Sequence, residues 1–328
     1  MINSVRNTVL SVLNKNNYGY ISPSDFNLYA KQAQMEIFEE YFSNYNKLIS
    51  AQNVRAVGSD YADLTKAVEE VMEIFLVSKF LHPQTRYNYP LDINIPYNAY
   101  KIPSLTTTGD EAFMFVKLIY YGLPIKTGMG ISAGPYNLLD PNLPFFVGLV
   151  KVGDIVFNLK TFQNSVITTV ASTSIWTSEN IFSDLEYEPY AVYRLQNYSE
   201  LEKVTEGKIS ALNASGLTKP NTMFPAYTIT DSIINTYPDV INGYGALNAT
   251  YFRYPKDPKW TYISLLGGEP SFDQSQPDYQ DFELPTEDEY KLAMKILQYC
   301  GISIREIQVA QFAIAQEQHE QPSFSQQQ

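Results

Sequence analysis

The sequence predicts an α+β protein in which a helical bundle, formed by the N- and C-terminal segments, is joined to a large β-rich middle domain. Helical periodicity fills the first quarter of the chain, fades after Pro83 into short apolar runs separated by turn residues, and returns after Pro285. We therefore divide the chain into an N-terminal helical segment (1–85), a β-rich middle domain (86–284), and C-terminal helices with a polar tail (285–328).

The N-terminal segment contains three amphipathic patterns. The first predicts a short helix whose apolar face consists of Val5, Val9, Val12 and Leu13. The second begins where Ser22 can cap a helix and Pro23 fits its first position, and it continues to about Ser50 without Gly or Pro. Its broad apolar stripe requires packing partners and consists of Ala30, Ala33, Ile37, Phe38, Tyr41, Phe42 and Tyr45. The third predicts a helix over 60–81, stopped by Pro83.

The middle domain shows strand-like runs between turn residues. The predicted strands are 113–121, 145–150, 154–159, 165–171, 190–195, 226–229, 232–236 and 247–254. Residues 198–204 are predicted to form a short helix among them. The glycine-rich segment 127–134 lacks the Lys-Ser/Thr and the strand–helix setting of a phosphate loop, so we interpret it as a mobile loop or extended arm.

The C-terminal segment predicts two helices. An acidic first turn after Pro285 suits the positive end of a helix dipole, and Gly301 is expected to end that helix. Ser303 and Glu306 fit a capping box that predicts a further helix, and the residues after Glu317 form a polar tail. We expect the segment after Ser303 to reach an adjacent subunit or ring, because it combines a capped helix with a polar end.

Composition disfavours several classes of function. The formal net charge is -12 and the pI is about 4.7, with no basic cluster, so tight nucleic-acid binding is disfavoured. An acidic wall would instead let DNA slide past, because like charges repel. The single cysteine, Cys300, excludes an intramolecular disulfide. No run has the length of a membrane span and no secretory signal is visible, so we expect folding in a cytoplasm.

Residue types that carry chemistry are sparse. Of the two histidines, His82 and His319, only His82 is placed to serve a Ser-His-Asp site, and its position before Pro83 favours a structural role. Solvated surface is the interpretation of the acidic pairs Glu39-Glu40, Glu69-Glu70 and Glu287-Asp288-Glu289. One candidate cation site has a spacing unlike that of an EF-hand: Asp273, Asp278, Asp281 and Glu283. We assign no catalytic, cofactor-binding or metal-binding residue and no cofactor, and we predict that the protein is not an enzyme.

Two stretches of sequence carry a resemblance to a known family. The first comprises 18–27 (YGYISPSDFN) and 30–34 (AKQAQ). The second comprises 251–260 (YFRYPKDPKW), with 280–285 (QDFELP) and 300–306 (CGISIRE). These stretches resemble ring-forming structural proteins at the head–tail junction of short-tailed bacteriophages, especially the crAss-like phages of gut Bacteroidetes. The motifs have turn and capping roles.

The resemblance implies a virion structural protein of the connector or upper tail. It implies a closed, twelvefold homo-oligomeric ring stacked on the portal or on other ring and tail proteins, with viral DNA passing through without specific binding. A heterologous interface repeated around an axis closes in this way. The implied location is the virion, after assembly in the host cytoplasm and without a membrane. The resemblance covers both ends of the chain and supplies no catalytic residue.

Two alternatives remain open from the sequence. A carbohydrate- or receptor-binding tail protein would use the aromatic and Asn content of the middle domain and would place Trp176 or Trp260 on an exposed platform. A glycan hydrolase would need two of the scattered carboxylates to converge on one cleft. About twelve copies in the assembly would indicate a ring, three a spike, and one or two an enzyme.

Overall fold

The computed structural model of the protein describes residues 1–15, 21–55, 62–84, 98–140, 147–196, 198–265 and 267–303. Helices and a larger number of strands occur together in them, which confirms the α+β class. The chain divides into two compact units. The helical unit consists of Met1–Phe75 and Tyr254–Gln328, and the β unit is Leu76–Arg253. The domain boundaries placed after residues 85 and 284 stay predictions.

The part of the chain that the structure describes contains five helices. They are α1 Ile2–Lys15, α2 Pro23–Arg55, α3 Ala62–Glu73, α4 Glu206–Asn213 and α5 Glu289–Ser303. A 3-10 turn over Thr286–Asp288 leads into α5, which continues past Gly301, where the sequence predicted its end. The capping box and helix predicted from Ser303 onward lie outside the described residues, as do His319 and the polar tail.

The same residues contain sixteen strands. They are β1 Leu76–Phe80, β2 Ala99–Lys101, β3 Ala112–Tyr120, β4 Lys126–Ser132, β5 Asn137–Leu139, β6 Ile155–Asn158, β7 Gln163–Val170, β8 Ser174–Thr177, β9 Glu188–Tyr193, β10 Ser199–Glu200, β11 Glu202–Lys203, β12 Ala226–Thr230, β13 Ile233–Tyr237, β14 Leu247–Arg253, β15 Tyr262–Ser264 and β16 Pro270–Phe272. Seven of the eight predicted strands overlap these. The strand predicted over 145–150 was wrong for residues 147–150, the part that the structure describes. These residues form a turn closed by one bridge between Val147 and Val150.

Helix α2 starts as its sequence predicts. The backbone N–H of Asp25 donates to Ser22 Oγ (3.1 Å), and the Ser22 hydroxyl donates to the Asp25 carboxylate (2.6 Å), while Pro23 occupies the first helical position. Further along α2, Phe38 is fully buried and packs against Phe42 and Phe75. The ring centroids are 5.0 Å apart in each pair. Burial of such a side chain contributes about 1.5–3 kcal/mol.

The helices of the helical unit pack in pairs. Helix α5 contacts both α1 and α2, and α3 contacts α2. The structure shows these pairwise contacts, while the single bundle predicted from the N- and C-terminal segments stays a prediction. The core they enclose is apolar and consists of Ile2, Val5, Val9, Leu13, Ala30, Ala33, Ile37, Phe38, Phe42, Leu292, Ile296, Leu297 and Cys300. Val12, predicted on the buried face of α1, is exposed instead.

The third predicted helix ends early. Helix α3 stops at Glu73, and the residues that the sequence assigned to its last turns form β1. Strand β1 pairs with β14 in an antiparallel register that runs from Leu76 opposite Phe252 to Phe80 opposite Asn248. A run of Leu, Val and Phe fits a half-buried pleated surface as well as a helical face, and tertiary pairing decides between the two.

The β unit is built from two four-stranded sheets and a closed barrel. The sheets have the orders β1-β14-β3-β10 and β11-β12-β13-β2, and the barrel has the order β4-β5-β8-β7-β6-β9. The barrel was not predicted from the sequence. Its interior is apolar and consists of Leu138, Val156, Ile167, Ile175, Ile181, Phe182, Tyr190 and Val192, with Val150 at its margin.

Two sequence interpretations in the β unit were wrong. The glycine-rich segment is a barrel strand, because β4 spans Lys126–Ser132 and pairs with β5 and β9. Residues 198–204 form β10 and β11 rather than a helix, and α4 follows them. Their backbone N–H groups are taken by neighbouring strands, since Leu201 donates to Leu118 (2.9 Å) and Val204 donates to Tyr227 (2.9 Å). Pairing with existing strands satisfies these groups without a helical turn.

Candidate interaction surfaces

The acidic residues predicted as a cation site make separate contacts. Asp273 accepts hydrogen bonds from Ser275 and Gln276, which lower the pKa of its carboxyl group. Asp278 forms an ion pair with Lys259, and that hydrogen bond lowers the pKa of Asp278. Each carboxylate is therefore an ionised acceptor with its own partners.

The other two predicted cation ligands hold backbone groups. Asp281 accepts the N–H groups of Ile2 (2.7 Å) and Phe282 (2.8 Å) through Oδ1, and Glu283 accepts the N–H of Lys256 (2.8 Å). Within the described ranges, no group of three His, Cys, Asp or Glu side chains is arranged to hold a metal ion. The four acids stabilise local structure and do not converge on a shared site.

His82 lies in an aromatic environment of the β unit. Its ring centroid is 4.8 Å from that of Phe162 and 5.3 Å from that of Tyr244. Burial lowers the pKa of His82, and the charge of Lys101 lowers it further, so the imidazole is neutral near pH 7. A partly buried, neutral ring packed on two aromatic rings supports the structural role predicted for His82.

Glu40 and Asp288 belong to acidic runs interpreted as solvated surface, but both contribute to a polar network around α2 and α5. The other acidic residues Glu39, Glu69, Glu70 and Glu287 are exposed, as interpreted. Lys295 is only 2% exposed, and its Nζ lies 3.0 Å from Glu36 and 2.7 Å from Glu40. Lys291 adds a second contact to Glu40 at 2.5 Å. Tyr41 donates to Asp288, and both burial and that carboxylate raise the pKa of Tyr41.

The network around Lys291 and Lys295 lowers the pKa of Glu40. Burial by itself would raise the pKa, but the hydrogen bonds and charges of Lys291 and Lys295 outweigh burial and hold it below the usual value. Glu40 is therefore ionised in the folded state at any pH above the ordinary range for a carboxyl group. The network joins α2 to α5 and to the 3-10 turn before α5.

One buried polar pair of the barrel consists of Asp140 and Tyr190. Asp140 is fully buried and accepts a hydrogen bond of 2.7 Å from the hydroxyl of Tyr190, also fully buried. Burial raises the pKa of Tyr190, and the neighbouring carboxylate raises it further, so the phenol is neutral under ordinary conditions. A Cβ atom on Gly128 would lie 2.7 Å from that hydroxyl, so the interior has no room for a side chain there. Close packing of this kind indicates a structural pair.

The loop of residues 147–153, here the clamped loop, presents apolar side chains to solvent. Val147, Leu149 and Val152 are all exposed. The loop is held from below by Arg194, whose Nε and Nη2 donate to the buried carboxylate of Asp154 (2.8 and 2.7 Å) and whose Nη2 also donates to the Leu149 carbonyl (3.0 Å). A bidentate ion pair thus fixes the backbone beneath three exposed aliphatic residues.

A second exposed apolar surface is the loop of residues 214–225, here the apolar loop, between α4 and β12. Leu217 is 95% exposed, and Met223 and Phe224 are each 75% exposed. The loop is internally braced, because Asn221 Oδ1 accepts the N–H groups of Met223 (2.9 Å) and Phe224 (3.0 Å). The hydroxyl of Thr218 donates to the last turn of α4 at 3.1 Å. The backbone is ordered while the apolar side chains remain in water.

The third surface is the tip of the β8–β9 connection, residues 184–187, here the acidic tip. Leu185 is 89% exposed and Tyr187 is also exposed, between acidic neighbours. The connection is anchored at its base by Phe182, which is buried against Tyr190. The carboxylate of Glu188 accepts from the side chain of Asn158 (2.7 Å) and so fixes the start of β9.

The two tryptophans differ in placement. Trp260 is 2% exposed, and it stacks on Tyr262 and Phe272 with the Arg6 guanidinium 3.8 Å from its ring centroid. The prediction of an exposed platform is therefore wrong for Trp260. Trp176 lies on β8 and is 37% exposed, so it is the one tryptophan on the surface of the β unit.

Sequence reasoning found none of these three surfaces. An apolar residue in a turn-rich segment does not reveal from its type whether it packs inward or projects outward. One signal was available, because Lys219 is the single charged residue between Ala214 and Pro225, so the apolar loop is unusually poor in charge for an exposed segment. That composition is typical of a surface that contacts another protein.

No protein-family model matches the chain, and no curated protein matches it. In the described part of the chain, every helix is too short or too polar to cross a lipid bilayer.

Proposed function

We propose that this protein is a non-enzymatic structural subunit of an oligomeric virion ring, at the head–tail junction or upper tail of a short-tailed bacteriophage. The observation that carries the proposal is the set of exposed apolar side chains on internally braced loops of the β unit, namely the clamped loop and the apolar loop. The sequence resemblance at both ends of the chain supplies the family.

Braced apolar loops fit a subunit that is buried in an assembly. Exposed Leu, Met and Phe side chains clustered on one loop are unfavourable in water, whereas Met and aromatic residues are enriched at protein interfaces. Association normally costs free energy for ordering loops, and Asn221 and Arg194 order these loops beforehand. The surfaces are therefore prepared for a partner of fixed shape.

The charge of the chain supports a role as a DNA conduit. A net charge of -12 disfavours tight contact with phosphates and lets DNA pass without being retained. In this proposal the ring is twelvefold and stacks on the portal or on other ring and tail proteins.

The terminal helices supply the second part of the proposal. We assign to α1, α2, α3 and α5 a single helical bundle that gives the ring its rigid body. The pairing of α5 with α1 and α2 supports this assignment, as does the buried Lys295 between α2 and α5. Ion pairs across a helix interface fix its register and orientation.

The mass of the purified full-length assembly tests the proposal. Native mass spectrometry and sedimentation velocity of the 37.3 kDa chain are expected to show a closed species of about twelve copies, with a ring in electron micrographs. If other rings are needed for closure, addition of the portal is expected to give the same ring. A chain that stays monomeric at all concentrations with and without portal would refute it, and a trimer that binds glycans would favour the tail-protein alternative.

A further inference from the structure

We propose that the acidic tip of one copy docks on the apolar loop of the next copy and forms the repeating contact of the ring. This inference rests on the proposed function and identifies the surface it uses. Both loops belong to the β unit, and they carry apolar side chains of similar exposure with charges of opposite sign.

The apolar loop is the basic partner. Its exposed side chains are Leu217, Met223 and Phe224, and Lys219, between them, is also exposed. Lys219 is the only charge in the loop, within a chain whose net charge is -12. In a chain with this net charge, an apolar loop that carries a positive charge favours contact with acidic surface on another copy.

The acidic tip has the matching composition. Residues 178–188 contain four carboxylates and no basic residue, and Asp184 and Glu186 flank the exposed Leu185. Lys160 pairs with Glu186 from the barrel side, and that pair leaves Asp184 as the carboxylate at the apex. An apolar residue between carboxylates can enter an apolar loop while Asp184 meets Lys219 at its rim.

The same chemistry argues against a twofold contact between like loops. Two apolar loops facing each other would oppose Lys219 to Lys219, and two acidic tips would oppose carboxylates to carboxylates. When two copies make the contact between unlike loops only once, the contact is heterologous, and each copy keeps one loop of each kind for a further neighbour. Repetition of that contact leads to a ring when the rotation closes.

A charge-swap series tests the contact. Lys219→Glu and Asp184→Lys are each expected to weaken association of the full chain about tenfold, because each places like charges across the interface. The double variant with both changes is expected to regain association, because each interface again has opposite charges, with the negative charge at residue 219 and the positive charge at residue 184. Lys208→Glu is the matched control, because Lys208 is an exposed lysine on α4 of the same unit.

The readout is the concentration dependence of the sedimentation coefficient at two ionic strengths. Phe224→Asp adds an apolar arm: the side chain is exposed and the bracing bond uses its backbone N–H, so the loop is expected to persist while association is lost. Circular dichroism that matches the parent chain shows that each variant folds.

The outcomes separate this contact from the proposed function. If the parent chain forms rings and the Lys219→Glu or Phe224→Asp variants form them equally well, the contact is wrong and the ring stands. If both single charge variants fail and the double variant does not recover, Asp184 and Lys219 do not meet, and the contact is again wrong. A parent chain that stays monomeric in every condition removes the ring itself.

Discussion

Replacement of Gly130 by alanine is expected to destabilise the barrel. Gly130 lies on β4, and a Cβ atom built on it would fall well inside van der Waals distance of Leu138 Cδ1 and 3.1 Å from Leu138 Cγ. The carbonyl oxygen of Leu139 would lie 3.2 Å away on the paired strand β5. The new methyl group therefore meets a side chain and a backbone that the register of the barrel holds in place.

The magnitude follows from how little the neighbour can move. Carbon atoms in contact prefer about 3.5–4.0 Å, and Leu138 is fully buried, so its side chain must leave its rotamer or push the strand outward. Overpacking of this kind costs about 1–3 kcal/mol. A cost of about 2 kcal/mol lowers the folded-to-unfolded ratio roughly thirtyfold.

Hydrogen–deuterium exchange during urea unfolding, read by mass spectrometry on peptides of the β unit, measures the effect. The matched control is Gly207→Ala on α4, where an added Cβ would meet nothing within 4 Å. Alanine favours a helix by up to about 1 kcal/mol over glycine, so the control is expected to be neutral or stabilising. The two substitutions add the same methyl group with opposite expected signs.

A second substitution separates crowding from other causes. Leu138→Ala alone is expected to cost about 2–5 kcal/mol because it leaves a cavity. Combined with Gly130→Ala, it removes the side chain that the new methyl group meets, so the double variant should be less destabilised than the two single effects predict. A Gly130→Ala protein as stable as its parent, or strictly additive effects, would show that the interior is not packed as described.

Three further outcomes are expected. Lys295→Met should lower the free energy of unfolding of the helical unit by about 1–2 kcal/mol at pH 7. This loss is smaller than for a fully buried ion pair, because the carboxylate partners are partly exposed. Because Glu40 has a lowered folded-state pKa, that loss should shrink as pH falls below about 4.3, and a pH-independent loss in urea titrations would contradict it. Arg194→Leu should accelerate amide exchange in the clamped loop, and unchanged exchange would contradict its role. Tyr190→Phe should cost about 1–3 kcal/mol in urea unfolding by leaving buried Asp140 without that donor, whereas an unchanged midpoint would contradict the pair.

The helical unit was largely predictable because its signals are local. Ser22 and Pro23 predict the start of α2, because helix capping depends only on a few neighbouring residues. The apolar stripe of α2 likewise follows from a period of 3.6, and Phe38 and Phe42 are buried as that period requires. Helix α3 failed at its end for the opposite reason, since the pairing partner of β1 lies far away in sequence, on β14.

The barrel was not predictable from local pattern. Its strand β4 contains Gly128 and Gly130, and glycine inside a run usually indicates a loop or a turn. The two glycines are present because inward positions of β4 face Tyr190 and Leu138, residues that follow β4 in sequence and oppose it in the barrel. A prediction from short stretches of sequence therefore interprets the two glycines as a sign of a flexible loop. In the barrel they are needed because no side chain fits at those positions.

The same distinction explains why the candidate surfaces were not predicted, although catalytic residue types could be searched for in the sequence. A catalytic site needs particular residue types, so scarcity of histidine and cysteine bears directly on the prediction. An interaction surface needs only common apolar residues that fail to be buried, as at Leu217 and Phe224. Whether an apolar side chain is exposed depends on the fold, whereas the charge of a surface segment can be seen in its sequence. The contrast between the charges of Lys219 and Asp184 is therefore the feature of the proposed contact that the sequence itself carries.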